Sequence, residues 1–313
     1  MPFQYDPELA GIFIAAAELR RANRPAPGDY AARREIGNAG LTAIMATLPD
    51  APDVDRTDVQ VTGSDGAVAA RLYRKRGSDP GSAVVYCHGG GMVVGTMDIY
   101  DRAVAAYVTD SGVPMLSVDY RLAPEYPHPV PVEDCFGGLS WLHEHAAGYG
   151  IDQARIAVMG DSAGGGLAAG TAILARDRGV PLARQILIYP MLDDRNDEPD
   201  PELVPFAGWN HEDNLDGWGA LLGDRRGSDR VPPSAAPARL RDFAGLAPAY
   251  IEVGELDIFR DEDIEYARQL GRAGISCELH VHTGVPHGFD GAARGSALAE
   301  RSRADRIRFL RSF

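Results

Sequence analysis

Four short apolar runs, at residues 83–87, 114–118, 156–159 and 185–189, alternate with helical stretches near 100–110, 132–144 and 167–178. A run of four or five residues that is apolar at successive positions has no polar face to offer water. It reads as a strand buried on both sides, and buried strands alternating with helices imply a parallel sheet covered on both faces. The pattern resumes with apolar runs at 249–253 and 277–282, a helix at 261–273 between them, and a last helix from about 296 to 311. Ahead of it, the alternating runs 58–62 and 68–73 flank Gly63-Ser-Asp-Gly66, a hairpin signal. The expected fold class is therefore α/β, with a mostly parallel eight-stranded sheet and helices on both faces. The chain has 313 residues, 45% of them hydrophobic, enough to bury a large core.

Two regions stand outside the alternation. Residues 1–50 read as helical with a break at Arg24-Pro-Ala-Pro-Gly-Asp29. Residues 193–237 are rich in Asp, Pro, Gly and Trp, with one helical piece near 214–222. We expect an N-terminal cap region at 1–50, a core at 51–192 and 238–313, and a cap-like insert at 193–237. The two outlying regions would then meet over the C-terminal edge of the sheet, the edge where ligands bind in open α/β folds.

Charge and cysteine content narrow the function classes. A formal net charge of −14 repels a phosphate backbone, so nucleic acid is not an expected partner. Three cysteines, Cys87, Cys135 and Cys277, form neither a disulfide framework nor a CxxC zinc pair. The apolar stretch 9–19 follows Asp6 and Glu8 and precedes Arg20 and Arg21, the wrong polarity for a signal peptide, and it is too short to span a bilayer. A cytoplasmic protein without a membrane anchor is the expectation.

One serine then draws attention. Gly160-Asp161-Ser162-Ala163-Gly164 fits G-x-S-x-G and lies between an expected strand and an expected helix, the context that motif needs. A serine at so sharp a turn takes a strained backbone, and its neighbours two places away must be small where strand and helix converge. The following helix would bring a partly positive field to a developing oxyanion. Gly164-Gly-Gly166-Leu-Ala-Ala169 formally fits a dinucleotide fingerprint, but it begins well past the strand, inside the helix. A Gly-rich packing turn is the bland alternative. His88-Gly89-Gly90-Gly91 argues against it, because this element after a strand supplies backbone N–H groups to an oxyanion hole. Gly89, Gly90 and Ala163 are the expected donors, with His88 bracing the loop and Gly91 completing the motif.

A serine hydroxyl needs a base, and the base needs an acid. Of eight histidines, His287 lies in the loop past the last strand, in Pro286-His-Gly-Phe289. His280 and His282 share one face of that strand. His143, His145 and His211 fall in polar, exposed stretches, and His128 in a proline-rich loop able to line the site. Asp257 leaves the strand 249–253, where a buried acid belongs, whereas Asp261 and Glu262 suit the start of the next helix. The order Ser, Asp, His along the chain matches an α/β-hydrolase.

Taken together, His88-Gly-Gly-Gly91, Tyr120-Arg-Leu-Ala-Pro-Glu125, Gly160-Asp-Ser-Ala-Gly164, Asp257-x-x-Arg-Asp-Glu262 and His287-Gly-Phe289 resemble the bacterial hormone-sensitive-lipase-like esterases, in the branch with a GDSAG serine motif. The resemblance implies an α/β-hydrolase core, a helical cap built partly by the N-terminus, and carboxylester hydrolysis without a cofactor or metal. It implies that Ser162, Asp257 and His287 form the triad, and it suggests short to medium acyl chains. Ile258 departs from the proline that usually follows the acid. Arg121 and Glu125 are read as an internal ion pair that positions a loop beside the oxyanion hole.

The expected partner is a small ester; a homo-oligomer is compatible with the sequence, but nothing in it specifies one. Amide, formamide or lactone substrates would use the same triad, and a binding protein that has lost its chemistry would keep the same fold. Phe206, Trp209 and Trp218 in the insert, with Tyr189 and Phe289 near strand ends, are candidates for the substrate pocket. Ordinary packing of cap on core is the competing reading for each.

Overall fold

The structure is a computed structural model that describes residues 2–79 and 81–313. Helices α1 (Ala10–Ala22) and α2 (Tyr30–Ala46) lead the chain. Strands β1 (Val54–Gly63) and β2 (Gly66–Lys75) form the expected hairpin, closed where Gly63 faces Gly66. Then come β3 (Ala83–Cys87), α3 (Asp101–Ser111), β4 (Met115–Val118), α4 (Val130–His145), β5 (Ile156–Asp161), α5 (Ala163–Asp177) and β6 (Arg184–Ile188). The insert carries α6 (His211–Leu222), and the chain ends with β7 (Ala249–Gly254), α7 (Arg260–Arg272), β8 (Cys277–His282), the single turn α8 (Phe289–Ala292) and α9 (Ala297–Leu310).

The eight strands form one sheet in the order β1-β2-β4-β3-β5-β6-β7-β8. Pairing is antiparallel from β1 through β2 to β4 and parallel from there on. The apolar runs of β3 to β7 are buried on both faces, as their composition demands, whereas the edge strand β8 leaves Leu279 and Val281 exposed. On β3, Ala83, Val85 and Cys87 enter one core with α4, α5 and α7, while Val84 and Tyr86 enter the other with α3 and α9. On β5, Ile156 and Val158 divide from Ala157 and Met159 in the same way. Side chains of a strand alternate faces, so a strand buried on both sides admits a polar residue only where it finds a partner, as Glu252 of β7 does in accepting from Arg306 (2.9 Å).

Two helices start earlier than expected, one through tertiary packing and one through a local cap. The expected 167–178 helix starts at Ala163, directly after Ser162, although three glycines in its first turn disfavour helix. The turn is held by packing, with Ala163 to Gly166 all buried. Helix α6 starts three residues before the expected 214, because the Asn210 side chain accepts from the Glu212 and Asp213 N–H groups and caps it.

The two outlying regions do meet. Arg33 of α2 donates to Asp213 (2.8 Å) and Asp216 (2.5 Å) of α6, and the Tyr5 hydroxyl donates to the Phe206 carbonyl (3.1 Å). No helix among the described residues is long and apolar enough to cross a membrane.

Two readings need correction. Arg121 does not pair with Glu125. Its guanidinium grips the fully buried Asp134 on α4 through two bonds of 2.6 and 2.9 Å. Glu125 instead takes both terminal nitrogens of Arg34 from α2 (2.9 and 2.7 Å). The near-neighbour pairing lost to a buried partner that has no other cation among the described residues. The consequence is measurable by urea unfolding: Arg121→Ala should cost about 3 kcal/mol by stranding a buried carboxylate. Glu125→Gln should cost less than about 1 kcal/mol, because its pair is half exposed. The second correction concerns His211. It is buried, at 6% exposure, not surface-exposed.

His128 is buried too, and burial first, then the Arg225 charge, pushes its imidazole down to about 4. The unfolded chain takes up a proton near 6.5 while the folded one does not. Stability is therefore full above that value and is lost as pH falls from about 6.5 towards 4. We expect His128→Gln to remove up to about 2 kcal/mol of the stability loss that wild type shows between about pH 7.5 and 5, measured by urea unfolding at each pH.

Candidate active site

Ser162 stands at the junction of β5 and α5 with φ 56° and ψ −122°, the strained turn its motif requires. The space argument for its glycines holds. A Cβ on Gly160 would meet the carbonyls of Gly164 and Cys87, and one on Gly164 would meet those of Cys87 and His88. The turn is pinned by Ser162 N–H donating to Ile188 O (2.8 Å) and Met191 N–H donating to Ser162 O (3.0 Å).

The parallel register brings the C-terminal ends of β5, β6, β7 and β8 side by side, with Asp161 beside Ile188, Ile188 beside Glu252, and Gly254 beside His282. Loops leaving those ends carry the other two residues. His287 Nδ1–H donates to Asp257 Oδ2 at 2.6 Å, and the Ser162 hydroxyl donates to His287 Nε2 at 2.9 Å. Asp257 is fully buried, and its other oxygen accepts from the Phe259 N–H (3.0 Å). A carboxylate facing Nδ1 keeps the ring proton there and leaves Nε2 free to accept.

The His287 ring is boxed by aromatic edges, Tyr189 at 4.7 Å and Phe259 at 5.1 Å between centroids. Tyr189 is held in turn by its hydroxyl donating to Asp290 (2.9 Å) and by an unusual positive φ of 36°. It is a wall for the histidine. Phe289, read as a pocket candidate, is fully buried in the core below Tyr189 and does not face a substrate. Trp218 is likewise spent on core packing. Trp209 lies against the glycine loop, where a Cβ on Gly91 would collide with its indole. Phe206 is partly buried beside the Tyr5 ring.

The glycine loop departs from expectation at one atom. The Gly89 N–H donates to Asp161 Oδ1 (3.2 Å) and so is already engaged. Asp161 is itself gripped by the hydroxyls of Tyr86 (2.6 Å) and Tyr100 (3.1 Å), which makes the motif aspartate the anchor of the loop. The N–H groups of Gly90, Gly91 and Ala163 have no acceptor among the described residues. Gly90 has a φ of 129°, open to glycine alone in practice, and Gly91 a left-handed φ of 60°. His88 braces the loop as expected. Its ring is sandwiched between Tyr120 (4.3 Å) and Tyr100 (5.3 Å), with Nδ1–H donating to Gly89 O (2.8 Å). Burial lowers its basicity, and the ring stays neutral.

Arg34 was invisible to sequence reasoning. From α2 it donates to the carbonyls of Val93 (2.8 Å) and Ala123 (2.9 Å) as well as to Glu125, fastening the glycine loop to the segment after Tyr120. The sequence reading assigns Glu125 to the nearby Arg121, which leaves no signal for a cation 91 residues away. His280 and His282 share a face, their rings stacked 6.0 Å apart, as read.

A serine at a strand–helix turn, hydrogen-bonded in line with a histidine and a buried aspartate, is an arrangement that suits an α/β-hydrolase. The profile of a family described as alpha/beta hydrolase fold matches residues 84–291. Ethyl acetate hydrolase of Pseudomonas putida is 36% identical over 91% of this chain and 91% of its own length. The carboxylic ester hydrolase LipN of Mycobacterium tuberculosis is 36% identical over 80% of this chain and 69% of its own. Among solved structures, a bacterial heroin esterase superposes with a TM-score of 0.87 and 35% identity, covering 98% of this chain and 97% of that one. The chain belongs to this α/β-hydrolase family, in its hormone-sensitive-lipase-like branch, and is an esterase.

Proposed function

We propose that the chain hydrolyses short- to medium-chain carboxylic esters through an acyl-enzyme on Ser162. His287 Nε2 takes the Ser162 proton as Oγ attacks the ester carbonyl. The oxyanion lodges against the N–H groups of Gly90, Gly91 and Ala163, the last at the positive end of the 15-residue α5. His287 then protonates the departing alcohol, and a water repeats the sequence on the acyl-enzyme. Asp257 holds the imidazole tautomer and offsets its charge. The observation that carries this reading is the unbroken line Asp257–His287–Ser162, at 2.6 and 2.9 Å.

The cap is formed by residues 1–50 and 193–237, fastened by Arg33, over a core of 51–192 and 238–313. Trp209 lies where that cap covers the oxyanion loop. A relative named for ethyl acetate favours small acyl groups. The test is a p-nitrophenyl ester series from acetate to palmitate combined with organophosphate labelling. We expect kcat/KM to peak among the short and medium acyl chains, and label only on Ser162. A maximum at palmitate overturns the chain length, and label elsewhere overturns the nucleophile.

A further inference from the structure

A concavity lies apart from the candidate active site. It has a volume of about 320 Å³, and none of Ser162, His287, Asp257 or the glycine loop lines it. Its walls come from the start of the 193–237 insert, the first residue of α6, Phe243, and the segment from Ile258 into α7. A liquid water occupies about 30 Å³, so the space admits a small organic molecule.

Charge sets what kind of molecule. The lining holds six carboxyl groups and one guanidinium, Arg195. Arg195 is chelated by Asp193 through two bonds of 2.8 Å, so it offers little to an anion. Asp261 and Glu265 are paired with Arg260 and Arg268. Glu262 is bound up with the Leu192 and Asp193 N–H groups and with Asn196. Glu198 and Asp200 remain, with no cation in ion-pair range among the described residues.

His211 is the independent observation. It is 6% exposed, it lines the cavity, and neither ring nitrogen has a hydrogen-bond partner among the described residues. The α6 cap does not need it, because Asn210 caps the helix. Burial pushes the imidazole below its ordinary value against the pull of Asp200 and Asp197, so the ring is neutral and has one nitrogen ready to accept. The ring is largely buried, yet its nitrogens are not sealed off as the Nε2 atoms of His88 and His282 are, so an occupant of the cavity can reach them.

We infer that this cavity binds a small organic cation of the alkylammonium class, its charge held by Asp200, Glu198 and the His211 nitrogen and its methylenes against Phe243. A metal ion fits less well. Ligand atoms of three or more His, Cys, Asp or Glu converge elsewhere among the described residues, at Glu278, His280 and Asp305, and not here. Spread acceptors around an aromatic wall suit an extended cation. His211 belongs to the insert, and Ile258 directly follows Asp257. A bound cation therefore bridges the cap and the loop that carries the triad acid.

The test is calorimetric titration of the full chain with butane-1,4-diamine, with butane-1,4-diol and succinate as neutral and anionic counterparts. We expect saturable one-to-one binding of the diamine alone. The Glu198→Gln/Asp200→Asn double variant should bind about ten-fold more weakly, as expected when two weakly screened pairs are lost. His211→Gln should weaken binding about three-fold. Both variants should keep wild-type kcat/KM for p-nitrophenyl butyrate, which certifies their fold. Absence of saturation, equal binding of the diol, or unchanged affinity in the variants overturns the site, the last outcome marking mere adsorption to an acidic surface. If the double variant does not fold, His211→Gln decides by the same criterion. Ser162→Ala should bind the diamine as wild type does, so failure here is distinguishable from failure of the hydrolytic reading.

Discussion

Ser162→Ala is expected to lower kcat/KM for p-nitrophenyl butyrate by about ten-thousand-fold or more. The substitution removes one oxygen and little else. The strained φ of 56° is already adopted by a residue with a Cβ, and among the described residues the hydroxyl bonds to His287 alone. The neighbouring glycines and the backbone bonds to Ile188 and Met191 are untouched. The thermal midpoint should therefore stay close to wild type while organophosphate labelling disappears. The residual rate would report the oxyanion donors alone, which still polarise a carbonyl that water attacks. A variant that keeps substantial esterase activity would show that another group is the nucleophile.

Asp257→Asn should lower kcat by about ten-thousand-fold with KM little changed. The carboxylate now accepts from His287 Nδ1–H at 2.6 Å and from the Phe259 N–H at 3.0 Å. Held by Phe259 through its oxygen, an amide would turn its NH₂ towards Nδ1. The imidazole would then carry its proton on Nε2 and could not accept one from Ser162. Substrate binding does not involve this fully buried side chain, hence the split between kcat and KM. Asp261→Asn is the control. Its carboxylate is exposed and pairs with the adjacent Arg260, so activity should remain within about two-fold of wild type. Equal losses at both positions would mean that the loop as a whole had been disturbed.

These expectations rest on residues that could be picked out one at a time. The G-x-S-x-G turn, the histidine beyond the last strand and the aspartate after β7 each sit where backbone geometry allows little else. Failures of the sequence reading share one cause. Arg121 was paired with Glu125 because they are close in sequence, yet its partner Asp134 lies on a helix thirteen residues away. Gly89 was given to the oxyanion hole because the motif does not say which of its amides is already spent on Asp161. Phe289 was offered to the substrate because aromatic residues near strand ends look alike until burial separates them. His211 was placed on the surface because its neighbours are polar, and the cavity beside it leaves no trace in a linear pattern.

The amino-acid order alone determined the layered sheet, since runs apolar on both faces can be buried only between helices, and it marked the three residues brought into line. The tertiary structure decided which hydrogen-bonding groups are spent and which are free. Arg34 fastening the glycine loop, Asp161 occupying one of its amides, and His211 left without a partner all depend on neighbours dozens of residues away. Hydrophobic periodicity is a local property of the chain, whereas the satisfaction of a buried polar group is settled only by what the fold places within about 3 Å of it.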